Sequence, residues 1–339
     1  MTAEPQPAEA QPAGQAWFRT LWPVPPVPRP EPTPASSPDE ARVRVQGIVA
    51  AEFDVPEATR SRLLEPDGAA AATIVIWHGF TNAPSQFAKV GEALRADGYR
   101  VLLPRMPHHG QADLLTRDLA NLTDAELVGQ VNTCIDIATG FGDPVWAIGL
   151  SAGATLAAWA AATRPEVRRL VLAAPLVAPT GVPLPLIRAM VRFPRIVPRF
   201  YYWWDPRKKA DLGHSPYSYP GFPVPGLMPY LHLSEAMFDH SVIAGHLLER
   251  VVLVTNPGDF AIRKDAARAF AYGVFAGRAD RFGEANVDGS LKWMHDFVDP
   301  YSPGAGTTEQ AVAIFAAALG IGEPTAGGVL VPPLVPDQL

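Results

Sequence analysis

Between about residues 60 and 321, short apolar runs alternate with segments of helical spacing. Thr73–Trp77 is a compact apolar run, the mark of a strand buried on both faces. In 84–96, Phe87, Val90 and Leu94 recur at three- and four-residue steps, one face of a helix. Arg100–Leu103 is the next strand. Thr123-Asp124-Ala125-Glu126 has the form of a capping box; Leu127, Val131, Cys134, Ile135 and Ala138 then share a helical face that Gly140 is placed to end. Residues 145–148 predict a strand, 152–162 a helix and 170–174 another strand. A strand at 251–255, a helix over Lys264–Phe275, a weaker strand over 285–293 and a last helix over Thr308–Leu319 complete the series. Alternation of this kind predicts an α/β fold: a mostly parallel central sheet with helices on both faces. Reactive groups in such sheets gather beyond the carboxyl ends of the strands.

Three stretches break the pattern. Residues 1–38 are rich in Pro, Ala, Glu and Gln and predict a disordered arm, because proline removes backbone donors and few apolar groups offset the entropy of ordering. Trp17, Phe18, Leu21 and Trp22 are its exception, as residues that dock on the body, lie exposed, or touch a membrane or partner. Residues 322–339 predict a loose tail. Between about 176 and 246, prolines recur and aromatics cluster, as in Phe200-Tyr201-Tyr202-Trp203-Trp204, Tyr217, Tyr219 and Phe222. This predicts a cap inserted into a domain spanning 39–321.

Composition narrows the classes. A chain of 339 residues with 48% hydrophobic content can bury one large core, and a net charge of −6 argues against nucleic acid as a partner. The single cysteine, Cys134, allows no intramolecular disulfide. No apolar run reaches the roughly 18 residues needed to span a bilayer, and no basic start precedes an apolar core at the N-terminus. A cytoplasmic location is therefore expected.

The candidate chemistry begins at Gly149-Leu150-Ser151-Ala152-Gly153, a G-x-S-x-G between a strand and a helix. A serine on such a sharp turn stands exposed and can meet a base. His78-Gly79-Phe80-Thr81-Asn82 follows the Thr73–Trp77 strand. Acyl transfer needs two N–H donors aimed at the developing oxyanion, and the amides of Phe80 and Ala152 are the candidates. His78 is read as holding the loop rather than moving protons. The ring of Phe80 either lines an acyl pocket or packs in the core. Asp259, just past the 251–255 strand, can bond a histidine N–H and stabilise an imidazolium; alone it reads equally as a cap on the following helix, and Asp265 and Asp239 are weaker candidates. The order Ser…Asp…His requires a histidine after Asp259, and only His295 qualifies. Asp296 is read as bracing that loop. In Pro107-His108-His109-Gly110, loop bracing competes with substrate contact by His108; no Cys, Asp or Glu pairing in the motif completes a tetrahedral metal set, so neither metal nor cofactor is expected.

Taken together, HGFTN, PHHG, GLSAG, the Asp259 turn and the His295 loop resemble the α/β-hydrolase family over about residues 60–321, in particular bacterial carboxylesterases and monoacylglycerol-lipase-like enzymes. TNPGDFAI, MHDFVDP and WWDPRKK are similar to a bacterial branch of that family. The resemblance implies an acyl-enzyme on Ser151, with His295 as base, Asp259 as its partner, and a small ester with an apolar acyl part as substrate. The elbow continues Gly153-Ala154-Thr155 where many relatives carry a second glycine; alanine is small enough to keep the turn. Thioesters, amides and peptides fit the same triad, and a non-catalytic binding protein on the same fold is the alternative from another class. The cap also carries Arg188, Arg192, Arg195, Arg199, Arg207, Lys208 and Lys209, opposed only by Asp205 between residues 180 and 210. A solvated lid face, ion-paired to the body, is the reading adopted, with contact to anionic membrane headgroups as the alternative.

Overall fold

The computed structural model describes residues 23–204, 216–240, 242–302, 305–321 and the backbone of 329–330. Trp17, Phe18, Leu21, Trp22, Asp205, the Arg207–Lys209 cluster and most of the tail lie outside the described residues. The elements in chain order are α1 (Pro38–Ala51), β1 (Arg62–Leu64), β2 (Thr73–Trp77), α2 (Ala88–Ala96), β3 (Arg100–Leu103), α3 (Asp124–Gly140), β4 (Val145–Leu150), α4 (Ala152–Thr163) and β5 (Val167–Ala173). There follow α5 (Leu184–Arg192), β6 (Tyr201–Trp203), β7 (Gly221–Pro223), α6 (Met228–Phe238), β8 (Arg250–Thr255), α7 (Lys264–Phe275), β9 (Phe282–Val287), α8 (Thr308–Leu319) and β10 (Val329–Leu330).

Eight strands form one sheet in the order β1-β3-β2-β4-β5-β8-β9-β10. The six inner strands run parallel, and only the edges β1 and β10 are antiparallel to their neighbours. Strand alternation sorts the side chains between two layers. Val75, Trp77, Leu102, Ala147, Leu170, Leu172, Val251 and Leu253 face the layer containing α3, α4, α6 and α7. Ile74, Ile76, Val101, Leu103, Trp146, Ile148, Val171, Val252 and Val254 face α2 and α8. The helix behind the sheet centre, α4, is apolar all round and buried from Ala152 to Ala162, because the sheet and several helices surround it. The Thr123–Glu126 capping box is formed on α3.

Two expectations need correction. The proline-rich stretch from residue 23 to 36 is laid along the body, not free of it. Thr33 N–H and Oγ1 donate to Asp136 Oδ2 at 2.9 and 3.1 Å, Ala35 N–H donates to Asp136 O, and Asn132 Nδ2 donates to Pro30 O. Val27 and Ala35 are buried. The helix α1 then starts at Pro38, with Ser37 Oγ accepting from Glu40 N–H, so the ordered body begins before residue 39. The ninth strand, β9, lies at Phe282–Val287 and not at 285–293, because Asp288 accepts from Ser290 N–H and turns the chain at once into a 3₁₀ segment.

Among the described residues, the insert between β5 and β8 contains α5, the β6–β7 pair and α6. Tyr230, Leu231, Leu233, Ala236 and Met237 of α6 belong to the same buried cluster as α4. Arg188 and Arg192 turn inward to Glu235 on α6 at 3.4 and 3.3 Å, whereas Arg195 and Arg199 are exposed. Among the described residues no helix is long and apolar enough to cross a membrane.

Candidate active site

Register brings three distant loops to one edge. Leu150 at the end of β4 pairs with Ala173 of β5, Ala173 with Val254 of β8, and Thr255 with Asn286 of β9. The residues that follow β4, β8 and β9 therefore leave the sheet on the same side, and these carry Ser151, Asp259 and His295. Trp77 pairs with Gly149, so the HGFTN loop emerges beside the elbow.

Ser151 has φ 57° and ψ −117°, outside the favoured regions for an L-residue and a strain on the order of 1–3 kcal/mol. The fold holds it there. Ser151 N–H donates to Ala173 O at 2.8 Å, and its carbonyl accepts from Thr155 and Leu176. Both glycines of the motif are required by close approach. A Cβ on Gly149 would strike the backbone of Gly153 and Ala154, and one on Gly153 the carbonyls of Trp77 and His78. The next residue, Ala152, is the first of α4, and its N–H has no partner within the helix and stands at the positive end of the helix dipole.

The HGFTN loop is tied down by its own side chains. His78, buried, donates from Nδ1 to Gly79 O at 2.9 Å and accepts Met106 N–H at Nε2 at 3.1 Å. Desolvation, then the neighbouring His109, holds it far below the usual histidine range, so it stays neutral as a brace. Gln86 Oε1 accepts Gly79 N–H at 2.7 Å. Phe80 N–H donates to no protein group among the described residues. Thr81 has φ 66°, unusual for a β-branched residue, and its carbonyl accepts Tyr219 N–H from the insert. The Phe80 ring is half-buried and meets Phe222 at 5.0 Å, Tyr230 at 5.6 Å and His109 at 5.6 Å. It thus joins the sheet edge to the insert.

His295 Nδ1 donates to Asp259 Oδ2 at 2.8 Å, and Asp259 Oδ1 accepts from Ala261 and Ile262 N–H at 2.8 and 3.2 Å. The helix-capping reading of Asp259 needs correction: α7 begins after Arg263 with no side-chain cap, and Asp259 Oδ1 instead closes the turn before it while Oδ2 holds the histidine. Burial alone would raise the Asp259 carboxyl, but the His295 charge and these bonds outweigh it and keep it below its ordinary value. Burial alone would lower His295, and Asp259, with Asp296 beside it, outweighs that and raises it. With Nδ1 committed to Asp259, Nε2 is left as the basic nitrogen. Asp265 pairs with Arg263, and Asp239 lies past α6 in the insert.

Two asparagines inside the quoted TNPGDFAI and HGFTN motifs were given no role from the sequence. Asn256 Nδ2 donates to Trp293 O and Met294 O at 3.0 and 2.7 Å and so fixes the chain just before His295. Asn82 Nδ2 donates to Asp296 and Asp299, both at 3.2 Å, on the other side of that loop. His108 departs from the substrate-contact reading. Its Nδ1 and Nε2 bond Asp118 and Glu126 at 2.8 and 3.1 Å, which brace the loop against α3. These carboxylates lie 10 and 18 residues away, hence their absence from the motif, and they occupy opposite nitrogens of one ring rather than surrounding a common point. Instead His109 faces the Phe80 ring. It is buried, donates to Pro107 O, and is pushed down to about 3 by burial.

The α/β-hydrolase fold family matches residues 72–220. No curated protein sequence matches significantly. Among solved structures, the chain is similar to a metagenome-derived lipolytic enzyme of the LipS and LipT pair, with TM-score 0.54 and 17% identity over 78% of this chain and 99% of that one. It is similar to the monoacylglycerol lipase of Paleococcus ferrophilus, with TM-score 0.54 and 16% identity over 76% and 97%. A soluble variant of the Saccharomyces cerevisiae monoglyceride lipase gives TM-score 0.51 and 13% identity over 76% and 90%. At such identities the likeness is one of fold, and it agrees with the strand order, the elbow and the loop positions described above. The chain is an α/β-hydrolase-fold protein, similar in backbone to lipolytic enzymes.

Proposed function

We propose that the protein is a serine hydrolase that cleaves carboxylic esters through an acyl-enzyme on Ser151. The observation that carries this reading is the Asp259–His295 bond at the same sheet edge as the strained Ser151 turn. In the first half-reaction Ser151 Oγ attacks the ester carbonyl carbon while His295 Nε2 takes its proton. Asp259 stabilises the imidazolium through Nδ1. The amides of Phe80 and Ala152 receive the oxyanion. Collapse expels the alcohol, which takes the proton back from His295. Water then attacks the acyl carbon with His295 again as base, and the carboxylic acid leaves.

Phe80, Phe222 and Tyr230 meet between sheet and insert, which supports a substrate with an apolar acyl part beneath a cap formed by residues 176–246. Two of the similar structures are named as glyceride lipases, so an ester is the first substrate to assay, with thioesters and amides as the alternatives on the same triad. A fluorophosphonate probe tests the reading. Labelling is expected at Ser151, mapped by mass spectrometry, and is expected to be lost in His295→Ala. A p-nitrophenyl ester series then sets acyl length. Folded wild-type protein that takes no label would favour a non-catalytic binding protein.

A further inference from the structure

The loop that carries His295 is held from both sides by asparagines. On the acid side, Asn256 bonds the carbonyls of Trp293 and Met294. On the other side lies Asn82, the last residue of the HGFTN loop that presents Phe80. Asn82 is buried and fully engaged: Oδ1 accepts Ala83 N–H at 2.9 Å, and Nδ2 donates to Asp296 Oδ2 and Asp299 Oδ2. The acceptor bond from Ala83 fixes which end of the amide faces the carboxylates. Asp296 Oδ1 in turn accepts from Val298 and Asp299 N–H, so its carboxylate is anchored in the base loop. Gln86 accepts Gly79 N–H and so holds the start of the same loop.

From this geometry we infer that Asn82 is a positioning residue that locks the oxyanion-donor loop to the base loop through Asp296 and Asp299. The inference rests on the acyl-enzyme reading above. Phe80 N–H and His295 Nε2 must address one tetrahedral centre from different chain segments, and a displacement of about 1 Å costs on the order of 10²-fold in rate. Two carboxylates facing each other also need a shared donor. Asp296 is already pushed up to about 6 by desolvation and by Asp299, and the Asn82 amide is the neutral donor between them.

The test compares Asn82→Asp and Asn82→Ala with wild type, each checked for folding by thermal unfolding. Asn82→Asp keeps the shape but places a third carboxyl against Asp296 and Asp299, near His295 and Asp259. At pH 8 its kcat is expected to fall about 10²-fold with KM within about threefold. As pH falls towards 5.5, a proton shared among the three carboxyls restores a donor, so the ratio of its kcat to wild type is expected to rise at least about tenfold. Asn82→Ala is expected to lose kcat similarly, with no such recovery. Folded variants with wild-type kcat would overturn the inference, as would an Asn82→Asp defect that is independent of pH or confined to KM. If wild type itself takes no label at Ser151, the acyl-enzyme reading and this one fall together. Labelled, active wild type beside unimpaired variants sinks the positioning role alone.

Discussion

At the scale of single residues, the sharpest expectations concern the groups at the sheet edge. Ser151→Ala is expected to abolish turnover without loss of fold, since the turn is held by backbone bonds to Ala173, Thr155 and Leu176 that alanine keeps. Asp259→Asn is expected to reduce kcat by about 10²–10⁴, because the amide presents the wrong donor pattern to Nδ1. The pH profile adds a signature. Asp259 stabilises the protonated imidazole, so the base becomes available only above the ordinary histidine value of about 6.5, and the acid limb of kcat/KM is expected there. Asp259→Asn removes that stabilisation and leaves desolvation, so the limb is expected to move to lower pH. The placement of Ser151, Asp259 and His295 at one sheet edge was legible because their order and flanking strands constrain them. The pairing of Asn82 was not: the HGFTN motif contains it, but its partners Asp296 and Asp299 are 214 and 217 residues away and nothing in the motif points to them. The same holds for Asn256.

At the scale of elements, periodicity worked where one helix face or one strand side meets the core. It fails for the segment 23–36, whose order comes from backbone donors and a distant carboxylate rather than from an apolar stripe. Asp136 is the group that makes this docking possible. Its Oδ2 takes Thr33, and its Oδ1 takes Arg164 Nη2 at 2.7 Å, an ion pair in which both side chains are under 5% exposed. Arg164 also bonds Asn132 and Glu166, so α3, the end of α4 and the docked N-terminal segment share one buried knot. Arg164→Ala leaves that carboxylate uncompensated and is expected to cost about 3–5 kcal/mol, read by denaturant unfolding. The signal for α1 was present in Ser37-Pro38-Asp39-Glu40, a capping residue followed by proline at N1, but it sits inside a compositionally biased stretch that masks it.

At the scale of the whole molecule, the N-terminal segment also reaches the insert. His232 on α6 bonds Asp124 Oδ2 at 2.7 Å and Pro25 O at 2.8 Å, so both ring nitrogens face acceptors. Burial would lower this histidine, but Asp124 and Pro25 outweigh it and raise it. A group raised on folding contributes stability that is present below its unfolded value and lost as pH rises through the folded one. Removal of residues 2–36 is therefore expected to lower the thermal midpoint and to flatten that alkaline loss, while turnover per folded molecule stays near wild type. Calorimetry across pH 5–9 checks both.

The sheet order has a further consequence. Ser151 and the proposed oxyanion donors precede the insert, whereas Asp259 and His295 follow it, and the two halves meet along the β5–β8 pair. A chain nicked within the insert would yield two fragments, each with half of the proposed reactive groups. Ester hydrolysis would then report fragment complementation, with β5 and β8 as the seam that must zip before any substrate turns over.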